Sequence, residues 1–157
     1  MIDDELKIIS IALIVAMGVI TVYPVLSTMV IMEPHSEIGV LGPKGKIGDY
    51  PENIKVGDLV NLYIFIGNNE GRTQYYRVIF QLVPDNPVSN NTGITNVQTI
   101  DTFDLFLMSG KNSTIPISFS ISEPGDNLRL RFELYTFNTE AQDLVYKNKA
   151  QLWINVS

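Results

Sequence analysis

Two hydrophobic rhythms divide this chain. From Ile8 to Met32 no Asp, Glu, Lys, Arg or His occurs; Lys7 closes one end of the run and Glu33 the other. Wound as a helix, these residues extend about 37 Å, more than the roughly 30 Å of a bilayer's hydrocarbon core. The pattern predicts one membrane-spanning helix over residues 8–32, behind a short acidic lead of residues 1–7. After Leu59 the rhythm changes to a period of two, which belongs to half-buried strands.

The strands are read from that alternation and from the turns between them. Leu59–Ile66 is apolar and β-rich, and it ends at Gly67-Asn68-Asn69-Glu70-Gly71, a turn cluster. Thr73–Val83 carries Tyr76, Val78, Phe80 and Leu82 on one face and Tyr75, Arg77, Ile79 and Gln81 on the other. Pro84–Gly93 reads as a polar loop, and Val97–Met108 as one or two short strands. Thr114–Ile121 turns Ile115, Ile117, Phe119 and Ile121 inward, with Pro116 marking an edge. Leu128–Phe137 sets Leu128, Leu130, Phe132 and Leu134 against Arg129, Arg131, Glu133 and Tyr135. Lys149–Val156 closes the chain with Ala150, Leu152, Ile154 and Val156 facing in. Residues 33–58, rich in Gly and Pro, form a connecting segment that packs on the domain and holds one short strand near Ile38–Leu41. About seven strands with turns every 8–12 residues predict an all-β, immunoglobulin-like β-sandwich over residues 59–157.

The apolar run is too long for a secretory signal. It follows an acidic rather than a basic lead, and no A-x-A site comes after it. A retained anchor is expected. Pro24 should kink the helix or end its regular part. Ala12 and Ala16, with Gly18 nearby, are candidates for close helix packing against a second copy or another span. Lysines near the run barely decide its orientation, since Lys7 precedes it and Lys44 and Lys46 lie far beyond it. Three N-x-[ST] sequons, at Asn90, Asn112 and Asn155, favour an extracellular C-terminal domain and mark candidate glycosylation sites.

The net charge of −6 argues against nucleic acid and against a basic lipid-adsorbing patch. With no cysteine there are no disulfides, no thiolate catalysis and no Cys-ligated metal. His35 is the only histidine, so a blue-copper site and a three-His zinc site both lack ligands. A Ser-His-Asp triad through His35 would have to assemble beside the membrane without a G-x-S-x-G turn. The carboxylates are scattered and read as solvated turn residues. Gly39, Gly42, Gly45 and Gly48 recur without the Lys-[ST] and helix of a phosphate loop, so they serve backbone turning. No cofactor or metal is expected. Tyr63, Tyr75, Tyr135 and Trp153 alternate out of phase with the inward sets and are candidates for a partner surface.

The positions Leu41-Gly42, Gly45-Lys46, Asp49-Tyr50-Pro51, Gly57-Asp58, Gly67-Asn68, Glu70-Gly71 and Tyr75-Tyr76 fall within Ser36–Val83. This stretch resembles the extracellular part of an archaeal membrane-protein family of unknown function. Members of that family often carry several spans, whereas this chain shows one. The resemblance implies an envelope protein and no activity. The expected function is therefore non-enzymatic: a single-span cell-surface protein whose sandwich binds a protein partner, as an accessory or structural subunit. One rival is a filament subunit assembled through the apolar helix. The other is a glycan-processing hydrolase, which needs two carboxyl groups within about 10 Å in a cleft.

Overall fold

Alternation along the chain becomes two facing sheets. The computed structural model describes residues 4–28, 33–85, 88–90, 93–95 and 97–157. The chain divides into two units, residues 1–33 and 34–157. In the first, helix α1 spans Asp4–Thr28 and continues through Pro24, so the proline does not end it. Its 18-residue window Leu6–Tyr23 has a mean hydropathy of 2.3 and no buried residue. This helix is long and apolar enough to cross a membrane, a property that signal sequences share. Two of its hydroxyls are satisfied internally: Ser10 Oγ donates to the Leu6 carbonyl (2.8 Å) and Thr21 Oγ1 to the Met17 carbonyl (2.9 Å). Hydrocarbon demands this of any polar group it surrounds. Residues 29–32 of the expected span lie outside the described residues.

The second unit is a β-sandwich. One sheet has three strands in the order β1 (His35–Leu41), β3 (Val60–Asn69) and β8 (Lys111–Phe119). The other has five, in the order β2 (Asn53–Ile54), β10 (Asp143–Val156), β9 (Gly125–Asn138), β4 (Gln74–Val83) and β7 (Gln98–Leu107). A separate ribbon pairs β5 (Val88–Asn90) with β6 (Gly93–Thr95), inside the stretch expected as a loop. The sandwich class is as expected, and β2 raises the strand number in the two sheets from about seven to eight.

The inward sets form the core. Leu62, Ile64 and Ile66 of β3 face Tyr76, Val78 and Phe80 of β4 and Leu130, Phe132 and Leu134 of β9, all essentially inaccessible to solvent. An aromatic trio ties the sheets. Phe80 stacks on Phe132 (ring centroids 4.3 Å) and meets Phe119 edge-on (4.9 Å). These rings occupy the centre that a Cys–Trp–Cys cluster fills in immunoglobulin domains proper. Pro116 sits on β8, an edge strand, where its missing N–H is tolerated.

Three features depart from the alternation. Residues 33–58 supply β1 to one sheet and β2 to the other. A tight loop over residues 42–49 separates those strands. There a Cβ on Gly42 would lie 2.0 Å from the Gly48 carbonyl oxygen, and the Tyr50 hydroxyl donates back to the Val40 carbonyl (2.9 Å). Second, the Gly67–Gly71 cluster does not make a hairpin, because β3 and β4 belong to different sheets and the chain crosses between them there. Third, register shifts at Ile100 on β7 and Lys147 on β10 change the in–out phase. The second shift lets β10 begin at Asp143, where the alternation alone suggested Lys149.

Candidate functional site

The outer face of the five-stranded sheet carries the exposed chemistry. Cross-strand register sets its side chains in rows. Phe106 stands beside Tyr75 and Asp104 beside Arg77. Arg77 stands beside Tyr135, and Gln81 beside Arg131. Tyr135 is opposite Tyr146, Glu133 opposite Lys149 and Arg129 opposite Trp153. Opposed side chains on one face lie about 5 Å apart at Cβ, so the members of each row are neighbours.

One end of this face is aromatic. Tyr75 and Phe106 pack at 5.2 Å and Tyr135 and Tyr146 at 5.8 Å. Tyr75, Arg77, Phe106, Phe137 and Leu144 line a shallow groove of about 440 Å³. Phe106 is 76% exposed and Trp153, at the other end, 52%.

Polar contacts hold these rings in place. Arg77 grips Asp104 through both oxygens, Nε and Nη2 each donating at 2.7 Å, and its Nη2 also donates to the Tyr75 hydroxyl (3.0 Å). The guanidinium holds the Asp104 carboxyl below the ordinary aspartate range. The Tyr135 hydroxyl donates to Glu133 (2.8 Å). Burial, then this acceptor, push that hydroxyl up to about 12, so it remains a donor at physiological pH. Arg131 pairs with Glu133 (3.2 Å) and donates to Gln81 Oε1 (2.7 Å from Nη2).

A second cluster is buried where the chain enters the sandwich. Ser36 Oγ donates to Glu70 Oε1 (2.6 Å) and bonds the Tyr76 hydroxyl (2.9 Å), while Lys147 Nζ donates to the same carboxylate (2.9 Å). Burial alone would raise the Glu70 carboxyl, but hydrogen bonds from Ser36 and Lys147 prevail and it lies below its usual range. Beside it, fully buried Asn68 donates to the carbonyls of Arg72 (2.9 Å) and Leu107 (2.7 Å) and accepts from the Glu70 N–H (3.0 Å). These bonds shape the crossing from β3 to β4. The paired motif residues Gly67-Asn68, Glu70-Gly71 and Tyr75-Tyr76 thus do structural work at this corner, and Tyr75 alone turns outward.

The sequence candidates separate in space. Tyr75, Tyr135 and Trp153 share the five-stranded face. Tyr63 lies half-buried on the outer face of the other sheet, between Leu41 and Pro116 in register. Sequence reasoning missed Phe106, because Val97–Met108 had no assigned phase, and Arg129 and Lys149, which read only as the solvated side of a strand. Asn112 is exposed on β8. Asn155 is exposed, but its Nδ2 donates to Asn53 (3.3 Å) and its Oδ1 accepts from the Asn127 N–H (2.8 Å). The Asn90 sequon includes Asn91 and Thr92, which lie outside the described residues. Ala12, Ala16 and Gly18 are exposed on α1. Gly18, two residues past Ala16, projects about 200° round the axis from it and lies off the Ala12–Ala16 face. His35 is half-exposed, with Nε2 3.0 Å from Glu37 Oε1. Among the described residues no three His, Asp or Glu side chains gather as metal ligands.

A family model for a domain of unknown function matches residues 31–155. The chain belongs to the DUF1616 family. No curated relative matches it by sequence. Among solved structures, this DUF1616 chain resembles the CARDB domain of a Pyrococcus furiosus protein, solved in complex with di-metal ions. The TM-score is 0.51 at 13% identity, over 80% of this chain and 90% of that one. It also matches a β-glucosidase from Listeria innocua (TM-score 0.48, 12% identity, 78% of this chain but 16% of that enzyme). A third match is the sporulation control protein Spo0M from Bacillus subtilis (0.45, 10%, 80% and 50%). At 13% identity the likeness to the CARDB domain is one of fold.

Proposed function

We propose that this DUF1616 chain is a non-enzymatic, single-span protein of an archaeal envelope. Residues 8–32 are retained in the bilayer. The sandwich lies outside the cell and binds a protein partner, as an accessory or structural subunit of a larger assembly. One observation carries the partner reading: the outer face of the five-stranded sheet bears Phe106, Phe137, Tyr146 and Trp153 exposed to solvent among the described residues. Soluble surfaces seldom keep such an apolar patch unless it meets something, and Trp, Tyr and Arg are the residue types that anchor interfaces.

Photo-crosslinking groups placed singly at Tyr146, Trp153 and Tyr63 in native membranes test this. The reading expects one adduct of defined mass from positions 146 and 153, at least five times stronger than from position 63 on the opposite face. Equal yields at all three positions, or lipid adducts alone, contradict it.

A further inference from the structure

We infer that the partner's contacting surface is acidic, and that it docks on the Trp153 end of the five-stranded face. This deepens the partner reading above and rests on it. The chain as a whole is acidic, with 11 basic against 17 acidic side chains. The outward positions of β4, β7, β9 and β10 reverse that ratio. They present Arg77, Arg129, Arg131 and Lys149 against Asp104 and Glu133. At these register positions basic side chains outnumber acidic ones four to two, on a chain of net charge −6.

Both acids are already engaged. Asp104 is held by Arg77. Glu133 stands opposite Lys149 in register, but it is taken up by Arg131 (3.2 Å) and the Tyr135 hydroxyl (2.8 Å). Among the described contacts, Arg129 and Lys149 have no acidic partner. Arg129 lies across from Trp153, with Lys149 four residues away on the same strand as that indole. Arg129 beside an exposed indole, with Lys149 further along the same face, makes a site for a carboxylate-bearing protein surface. The cations steer the encounter and fix register, and the indole supplies buried area. Such an interface weakens as salt screens it.

Trp153 is the only tryptophan in the chain, so its fluorescence reports on this surface directly. Full-length protein in phosphatidylcholine nanodiscs is titrated with a 14-residue peptide alternating Asp and Leu, and with its Lys–Leu counterpart. The acidic peptide should shift Trp153 emission saturably, bind at least tenfold more weakly at 0.5 M than at 0.05 M salt, and lose at least tenfold in affinity in the R129E/K149E variant. K44E/K46E, in the loop between β1 and β2 and on no strand of this face, should bind like the parent. Near-ultraviolet circular dichroism checks that each variant is folded. Equal response to both peptides, salt-independent binding, or unchanged affinity in folded R129E/K149E overturns the inference. So does equally strong adsorption to phosphatidylglycerol vesicles, which assigns the face to anionic lipid. If crosslinks from positions 146 and 153 persist in R129E/K149E and at 0.5 M salt, the partner reading stands and its acidic character falls.

Discussion

Phe132→Ala should cost the sandwich about 3–5 kcal/mol, lowering its midpoint of thermal unfolding by roughly 10–20 °C. Phe132 is fully buried and stacked on Phe80, which in turn meets Phe119 of the opposite sheet. Truncation removes the transfer free energy of a whole ring. It also leaves a cavity between two sheets that are each fixed by their own ladders, so the space cannot close. Phe132→Leu keeps most of the volume and should cost less than half as much. Urea unfolding of the three proteins checks this. A loss below about 1 kcal/mol for Phe132→Ala would show that the trio does not tie the sheets.

Glu70→Gln should destabilise the sandwich by about 1–2 kcal/mol at pH 7 and by less at pH 3. The carboxylate accepts from Ser36 and Lys147 in a nearly closed setting, its side chain 9% exposed. Its folded value lies below the ordinary glutamate value. A group depressed in this way contributes stability that is complete above its unfolded value, about 4.3, and lost as pH falls through the lower folded one. Gln keeps the shape but cannot be protonated away, so the wild-type protein should show the steeper acid limb. Unfolding free energies at the two pH values decide it. An equal difference at both would mean that the carboxylate's charge plays no part at this corner.

Much of this architecture is legible in β4 and β9, where strict alternation of large apolar with polar residues identifies face, core and class together. The inward set Tyr76, Val78, Phe80 and the set Leu130, Phe132, Leu134 are buried as the pattern requires. Legibility fails where backbone geometry overrides side-chain rhythm. β2 is two residues long and pairs in parallel with β10, too short for any period to register. The extra residues at Ile100 and Lys147 shift phase, hiding the face of Phe106 and the start of β10. The crossing from β3 to β4 depends on Asn68, whose three hydrogen bonds reach partners up to 39 residues away. Phase puts Asn68 inward with Leu62, Ile64 and Ile66, but its distant partners follow only from the fold. The candidate surface was half legible. Tyr75, Tyr135 and Trp153 follow from phase, but that Tyr63 belongs to the other sheet follows only from pairing. That Arg129 and Trp153 stand side by side follows only from strand pairing.

We propose above that an apolar helix retained in lipid holds this sandwich outside the cell. The chain contains no cysteine, so Lys111→Cys, exposed on β8 of the three-stranded sheet, provides a single reactive thiol. Intact cells are treated with a membrane-impermeant maleimide, and the membrane-extracted protein is weighed whole. The account predicts one labelled species whose mass includes residues 8–32. Labelling only after lysis, or a labelled species lighter by that N-terminal segment, would contradict it.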